Sequence, residues 1–97
     1  MLFTVNKSPF ITGNLKSCLR YVAKCCPILL YEDGVYGAVA GSTVEPMVKE
    51  AMKNVTIYAL KEDVNARGLN NLIEGIKLVD YDGFVDLVAE HNVCPWI

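Results

Sequence analysis

The sequence predicts a small three-layer α/β sandwich, with about four mainly parallel strands flanked by helices. Three observations carry that prediction. Short apolar, β-prone runs alternate with stretches of helical periodicity, the pattern of parallel strands joined by right-handed crossovers. The run Ile28-Leu29-Leu30-Tyr31 ends abruptly in Glu32, Asp33 and Gly34 and passes straight into helix-compatible sequence, as a buried strand does when it emerges into a polar loop. Apolar residues make up 53% of the chain. A sheet covered on both faces, an apolar patch kept for a partner, or both together accommodate so high a fraction.

Each element follows from local signals. Leu2–Val5 is short, apolar and β-prone, and Asn6-Lys7-Ser8-Pro9 breaks it. Gly13-Asn14 offers an N-cap to a helix in which Leu15, Cys18, Leu19, Val22 and Cys26 recur at helical spacing, while Lys16, Arg20 and Lys24 face water. Pro27 ends that helix and opens the second strand, Ile28 to Tyr31. Gly34 to Ala40 is a small-residue helical segment, interrupted by Gly41-Ser42-Thr43. Glu45-Pro46 begins a helix through about Lys53, with proline in the first turn where a missing N–H does least harm.

Val55 to Leu60 is the clearest strand, ended by Lys61-Glu62-Asp63. A short helix carrying Val64, Ala66 and Arg67 then runs to Gly68, a C′ glycine. Ile76 to Val79 is the fourth strand, closed by Asp80. Asp82 caps a last helix with Phe84, Val85, Leu87 and Val88 on its apolar face, and Val93 to Ile97 reads as a tail with an exposed Trp96.

Ninety-seven residues make one domain, 1–97, too short for two independent cores. A net charge of −2 argues against a general nucleic-acid binder, which would carry a basic stripe. No apolar run approaches the roughly 20 residues that cross a bilayer, and the first residues lack a signal peptide's basic region and cleavage site. The expected compartment is therefore reducing and cytoplasmic, with four free thiols. Cys25 and Cys26 are adjacent, Cys18 and Cys94 stand alone, and no C-x-x-C pair supports a metal site. Gly34, Gly37 and Gly41 do not make the G-x-G-x-x-G pattern, so no nucleotide cofactor is expected.

In open α/β sheets ligands collect at the carboxyl ends of the strands. Lys7, Glu32, Asp33, Asp63 and Arg67 all fall there. Glu32 and Asp33 read either as an acid/base pair or, more simply, as a helix cap (Asp33) beside a solvated or ion-paired carboxylate (Glu32). Arg67 suits its helix C-terminus and is also able to bind an anion. Cys18 has two readings. One turn into its helix, the dipole would favour a thiolate; on the Leu15-Leu19-Val22 face, it is a buried core thiol. His91 sits near the end of the last helix, facing solvent, with no nucleophile placed beside it.

Several stretches together resemble the DsrH/TusB family: Leu2-Phe3-Thr4-Val5-Asn6-Lys7-Ser8-Pro9-Phe10, Ser17-Cys18-Leu19, Tyr31-Glu32-Asp33-Gly34-Val35-Tyr36, Asn65-Ala66-Arg67-Gly68, Val79 to Val85, and the short tail with its tryptophan. The resemblance covers essentially the whole chain in order. It implies a DsrE/F/H-like fold and a subunit of a cytoplasmic sulfur relay that passes sulfur as cysteine persulfide. The implied partners are DsrE/TusD-like and DsrF/TusC-like chains in a heterohexamer, with a DsrC/TusE-like downstream acceptor. The relay serves 2-thiouridine formation in transfer RNA or the oxidation of stored sulfur.

In such complexes the main acceptor cysteine belongs to the DsrE/TusD-like chain, so the implied role here is assembly, with Cys18 the candidate persulfide carrier. A cysteine at this S-C-L position leans toward the DsrH type. Glu32, Asp33, Gly34, Tyr36, Arg67 and Trp96 are the candidate interface or site-edge residues. The contrasting reading is a stand-alone, homo-oligomeric binding or regulatory module without sulfur chemistry.

Overall fold

Strand β1 (Leu2–Val5), β2 (Ile28–Leu30), β3 (Ile57–Leu60), β4 (Lys77–Val79) and β5 (Val93–Trp96) form one sheet in the order β4-β3-β2-β1-β5. Every pairing is parallel. The computed structural model describes residues 2–8, 13, 15, 18–19 and 26–96, and, for Trp96, the backbone. Most of the predicted first helix, including Asn14, Lys16, Arg20, Val22, Lys24 and Cys25, lies outside the described residues; Leu15, Cys18 and Leu19 are helical.

The fold class is as predicted, with one strand more than expected. Val93–Trp96 is not a tail but an edge strand, with Leu2 opposite Val93 and Val5 opposite Trp96. Pro95 hides it from a sequence reading, because proline cannot donate to a ladder. The Leu2 N–H bonds the Asn92 carbonyl at 2.7 Å. Parallel alternation then turns the N–H groups of Cys94 and Trp96 toward β1 and the nitrogen of Pro95 outward, where no donor is needed.

Register and pleat divide the sheet into two sides. Phe3 stands opposite Ile28, Ile28 opposite Ile57, and Leu30 opposite Ala59. These residues and Val5 point into one core with Leu15, Cys18, Val35, Ala38, Val48, Val64 and Ile73. The covering elements are the 3-10 helix Glu32–Ala38, α1 (Glu45–Met52) and α2 (Lys61–Ala66). The chain steps from β1 to β4 in one direction, so right-handed crossovers stack these connections on one face. The return from β4 to β5 runs the other way and sends α3 (Tyr81–Glu90) to the opposite face. There Leu2, Thr4 and Leu29 are buried. A Cβ on Gly83 of α3 would lie 3.2 Å from the Cβ of Val79, and Phe84 stacks on Tyr31 at 6.2 Å.

Three local expectations are corrected. The segment after β2 is a 3-10 helix that starts at Glu32, with Tyr31 at the N-cap and no side-chain cap, so Asp33 does not cap it. The cap of α3 is Asp80, whose Oδ1 accepts from the Gly83 N–H at 2.9 Å; Asp82 lies in the first turn. Cys26 is disulfide-bonded, so among the described residues the free thiols are Cys18 and Cys94. Gly68, with φ +65°, follows α2 as the predicted C′ glycine.

Candidate functional site

At the carboxyl end of the sheet, the exit of β2 meets the exit of β3. The Tyr31 N–H bonds the Val5 carbonyl at 3.1 Å, and the Gly34 N–H bonds the Tyr31 carbonyl at 2.9 Å. This folds the chain over the end of β1 so closely that a Cβ on Gly34 would strike the Val5 carbonyl oxygen. Glycine is therefore required there for space, not for its φ.

Glu32 occupies the left-handed region at φ 48°, which costs a non-glycine residue roughly 1–2 kcal/mol. Its N–H donates to Asp63 Oδ2 at 2.6 Å, a charge-assisted bond that offsets part of that cost. Asp63 lies in the first turn of α2, directly after β3. Four residues on, Arg67 donates from Nε and Nη2 to Asp33 Oδ1 at 3.1 and 2.9 Å. Its Nη1 lies 3.6 Å from Asp63 Oδ1 and donates to the Asp63 carbonyl. One guanidinium thus ties the exits of two neighbouring strands. Its pKa is raised by the hydrogen bond to Asp33 foremost, with Asp63 and Tyr36 adding electrostatically.

The structure brings together Glu32, Asp33, Gly34, Tyr36 and Arg67, and adds Asp63 as the residue that joins them. The signal for Asp63 was its placement four residues before Arg67 at a strand end, the spacing of a helical ion pair. The chemistry available is limited. The donors of Arg67 face carboxylates, which leaves little of the fork for an anion. Among the described residues the Glu32 carboxylate makes no hydrogen bond or ion pair, and Asp33 faces Arg67, so a shared-proton carboxylate pair is not formed. The cluster is a latch on the rim of the sheet.

Trp96 closes β5 opposite Val5, which puts its backbone at the same carboxyl edge. His91 ends α3 half-buried, beside Pro27, Thr56 and Tyr58 at the amino ends of the strands. A groove of about 480 Å³ between Lys49, Lys53 and Lys77 is also at that far end.

Cys18 is fully buried in the core, apart from this cluster. Burial, and then the neighbouring Cys94, push its thiol up to about 12. The expected lowering by the helix dipole is reversed. Cys18 is therefore held as the neutral thiol at neutral pH, whereas the thiolate is the form that accepts and passes sulfur. Cys94 sits opposite Phe3 on β5, half-buried against the same core. Among the described residues no group of three His, Cys, Asp or Glu side chains could hold a metal ion, and no helix is long and apolar enough to cross a membrane.

Residues 7–94 match the family model described as DsrH like protein. Over 92 residues the chain is 38% identical to Protein TusB of Escherichia coli, covering 94% of each. Among solved structures it is similar to the ychN protein of E. coli, with a TM-score of 0.79 at 18% identity and 97% of both chains covered. It is also similar to a protein of unknown function from Methanobacterium thermoautotrophicum, with a TM-score of 0.72 at 16% identity, covering 97% of this chain and 96% of that one. These two likenesses bear on the fold alone.

Proposed function

We propose, from the premise that this chain belongs to the DsrH/TusB family, that it is an assembly subunit of a cytoplasmic sulfur-relay complex. The observation that carries this reading is the family match, which runs through residues 7–94. The partners are DsrE/TusD-like and DsrF/TusC-like chains in a heterohexamer, and a DsrC/TusE-like protein receives the sulfur. The relay ends in 2-thiouridine of transfer RNA or in sulfur oxidation.

In this reading persulfide is carried by a partner's cysteine. A relay thiol must be ionised and reachable, and Cys18 is a buried neutral thiol. For Cys18 to act as carrier, its helix would first have to open. The latch of Arg67, Asp33 and Asp63 serves the same assembly role by fixing the rim that a neighbouring subunit meets.

The test is intact-protein mass spectrometry after exposure to a persulfide donor, with the DsrE-like and DsrF-like chains present and absent, followed by peptide mapping. Added sulfur on the DsrE-like chain, in a complex that contains this chain, supports the assembly reading. Added sulfur on Cys18, lost in Cys18→Ser, would make this chain a carrier. A homo-oligomer that ignores both partners would favour the stand-alone module.

A further inference from the structure

Helix α3 buries none of its residues. Among the described residues, four of the five exposed large hydrophobics belong to it or follow it: Tyr81 at 54%, Val85 at 63%, Val88 at 39% and Val93 at 40% exposure. Tyr81, Val85 and Val88 stand at i, i+4 and i+7, so they form one stripe along the helix. Val93 faces the same side of the sheet, since it lies opposite Leu2 and not beside the core residues Phe3 and Val5. Beside the apolar stripe runs a second one of Asp82, Asp86 and Glu90, at i, i+4 and i+8, all exposed. With Asp80 at the cap, the helix carries carboxylates and not one lysine or arginine. Among the described residues the carboxylates of Asp82, Asp86 and Glu90 make no ion pair or hydrogen bond.

We propose that this face of α3 docks a chain of different sequence, through an apolar surface bordered by lysine or arginine. The apolar stripe supplies the area that association removes from water. The acidic row selects the occupant, because charge complementarity governs which partner is captured and like charges exclude wrong ones. A second copy docked symmetrically on the same helix brings the same carboxylates and no cation from that helix, so it is disfavoured. The inference rests on the assembly reading in one respect: it requires a partner chain of another sequence.

The experiment uses the full chain with the DsrE-like and DsrF-like chains, measuring complex formation by size-exclusion chromatography and titration calorimetry. V85R and the double variant D82K/D86K are expected to weaken the complex at least tenfold, with unchanged circular dichroism, because all three side chains are exposed. Raising the salt concentration is expected to weaken the wild-type complex and to have less effect on D82K/D86K. K49E/K53E, at the amino end of the sheet, is expected to stay within twofold of wild type.

If wild type assembles and the α3 variants assemble equally well, this inference falls and the relay reading stands. If wild type captures neither partner, both fall. Self-association of the isolated chain that V85R abolishes would assign the stripe to a second copy and overturn the proposal.

Discussion

The two faces of the sheet are built to different ends. One face carries Phe3, Val5, Ile28, Leu30, Ile57 and Ala59 under two α-helices and a 3-10 helix, with the first-helix residues Leu15 and Cys18 packed among them. The other buries Leu2, Thr4 and Leu29, and α3, the described helix on that side, leaves its own apolar residues half-buried or open. A domain of this size has little apolar surface to spare, yet it spends Tyr81, Val85 and Val88 on solvent. The contrast separates apolar residues that pack the fold from those that α3 leaves open, and it is the open ones that the docking proposal assigns to a partner. Most of the buried apolar side chains pack on the first face; the second buries Leu2, Leu29 and Leu60 against the sheet but leaves the outer stripe of α3 open.

Substitutions on the packed face should therefore have the largest effects. Leu30→Ala removes a fully buried side chain from the middle strand and is expected to cost about 2–5 kcal/mol in urea unfolding. Gly34→Val forces a side chain against the Val5 carbonyl at the closed rim, and overpacking of this kind costs about 1–3 kcal/mol. A cost below about 1 kcal/mol for Leu30→Ala would erase the distinction between the faces.

Cys18 sharpens the same comparison through pH. Its thiol is raised from 9.0 to about 12 in the fold, so the native state holds a proton that the unfolded chain releases in alkali. The associated stability is complete below pH 9 and is lost as pH rises from about 9 toward 12, by up to roughly 1.4 kcal/mol per pH unit. Unfolding free energies of wild type and Cys18→Ala, measured between pH 7 and 10.5, should converge as pH rises. Parallel curves would place Cys18 in contact with water and reopen it as a sulfur carrier.

Much of this architecture was legible in the sequence, because strands β1 to β4 announce themselves as apolar runs cut by polar punctuation. The helix at Glu45 carries its proline in the first turn as read. What escaped had physical causes. Strand β5 contains Pro95, which is tolerable at an edge and misleading in a one-dimensional reading. The sequence points to Asp82 for the α3 cap, two residues late, because Asp80 and Asp82 are equally good capping residues and the backbone N–H of Gly83 decides for Asp80. Glu32 and Asp33 were visible as a strand exit, but the Arg67 grip on Asp33 spans 34 residues, and no local pattern encodes it. Cys18 satisfied both of its readings by spacing, and burial decided.

The rim latch joins the two exits and should matter moderately. Arg67→Met leaves Asp33 and Asp63 without their cation. Because Arg67 and Asp33 are 24% and 56% exposed, the expected loss is about 0.5–1 kcal/mol. The readout that separates a latch from a mere surface pair is hydrogen exchange at Glu32 and Gly34, which should speed up selectively while the β2 amides keep their protection. Uniform acceleration would mean that Arg67 supports the whole fold.

The smallest effect is expected on the open face. Val85→Ser changes a residue that is 63% exposed on a helix that buries nothing, so the isolated chain should keep its unfolding free energy to within about 0.5 kcal/mol. Serine and valine have about the same helix propensity, and there is no cavity to leave behind. A loss above about 1 kcal/mol would show that Val85 is packed within the chain itself. The stripe would then belong to the core, and the division of the sheet into a stabilising face and a docking face would not hold.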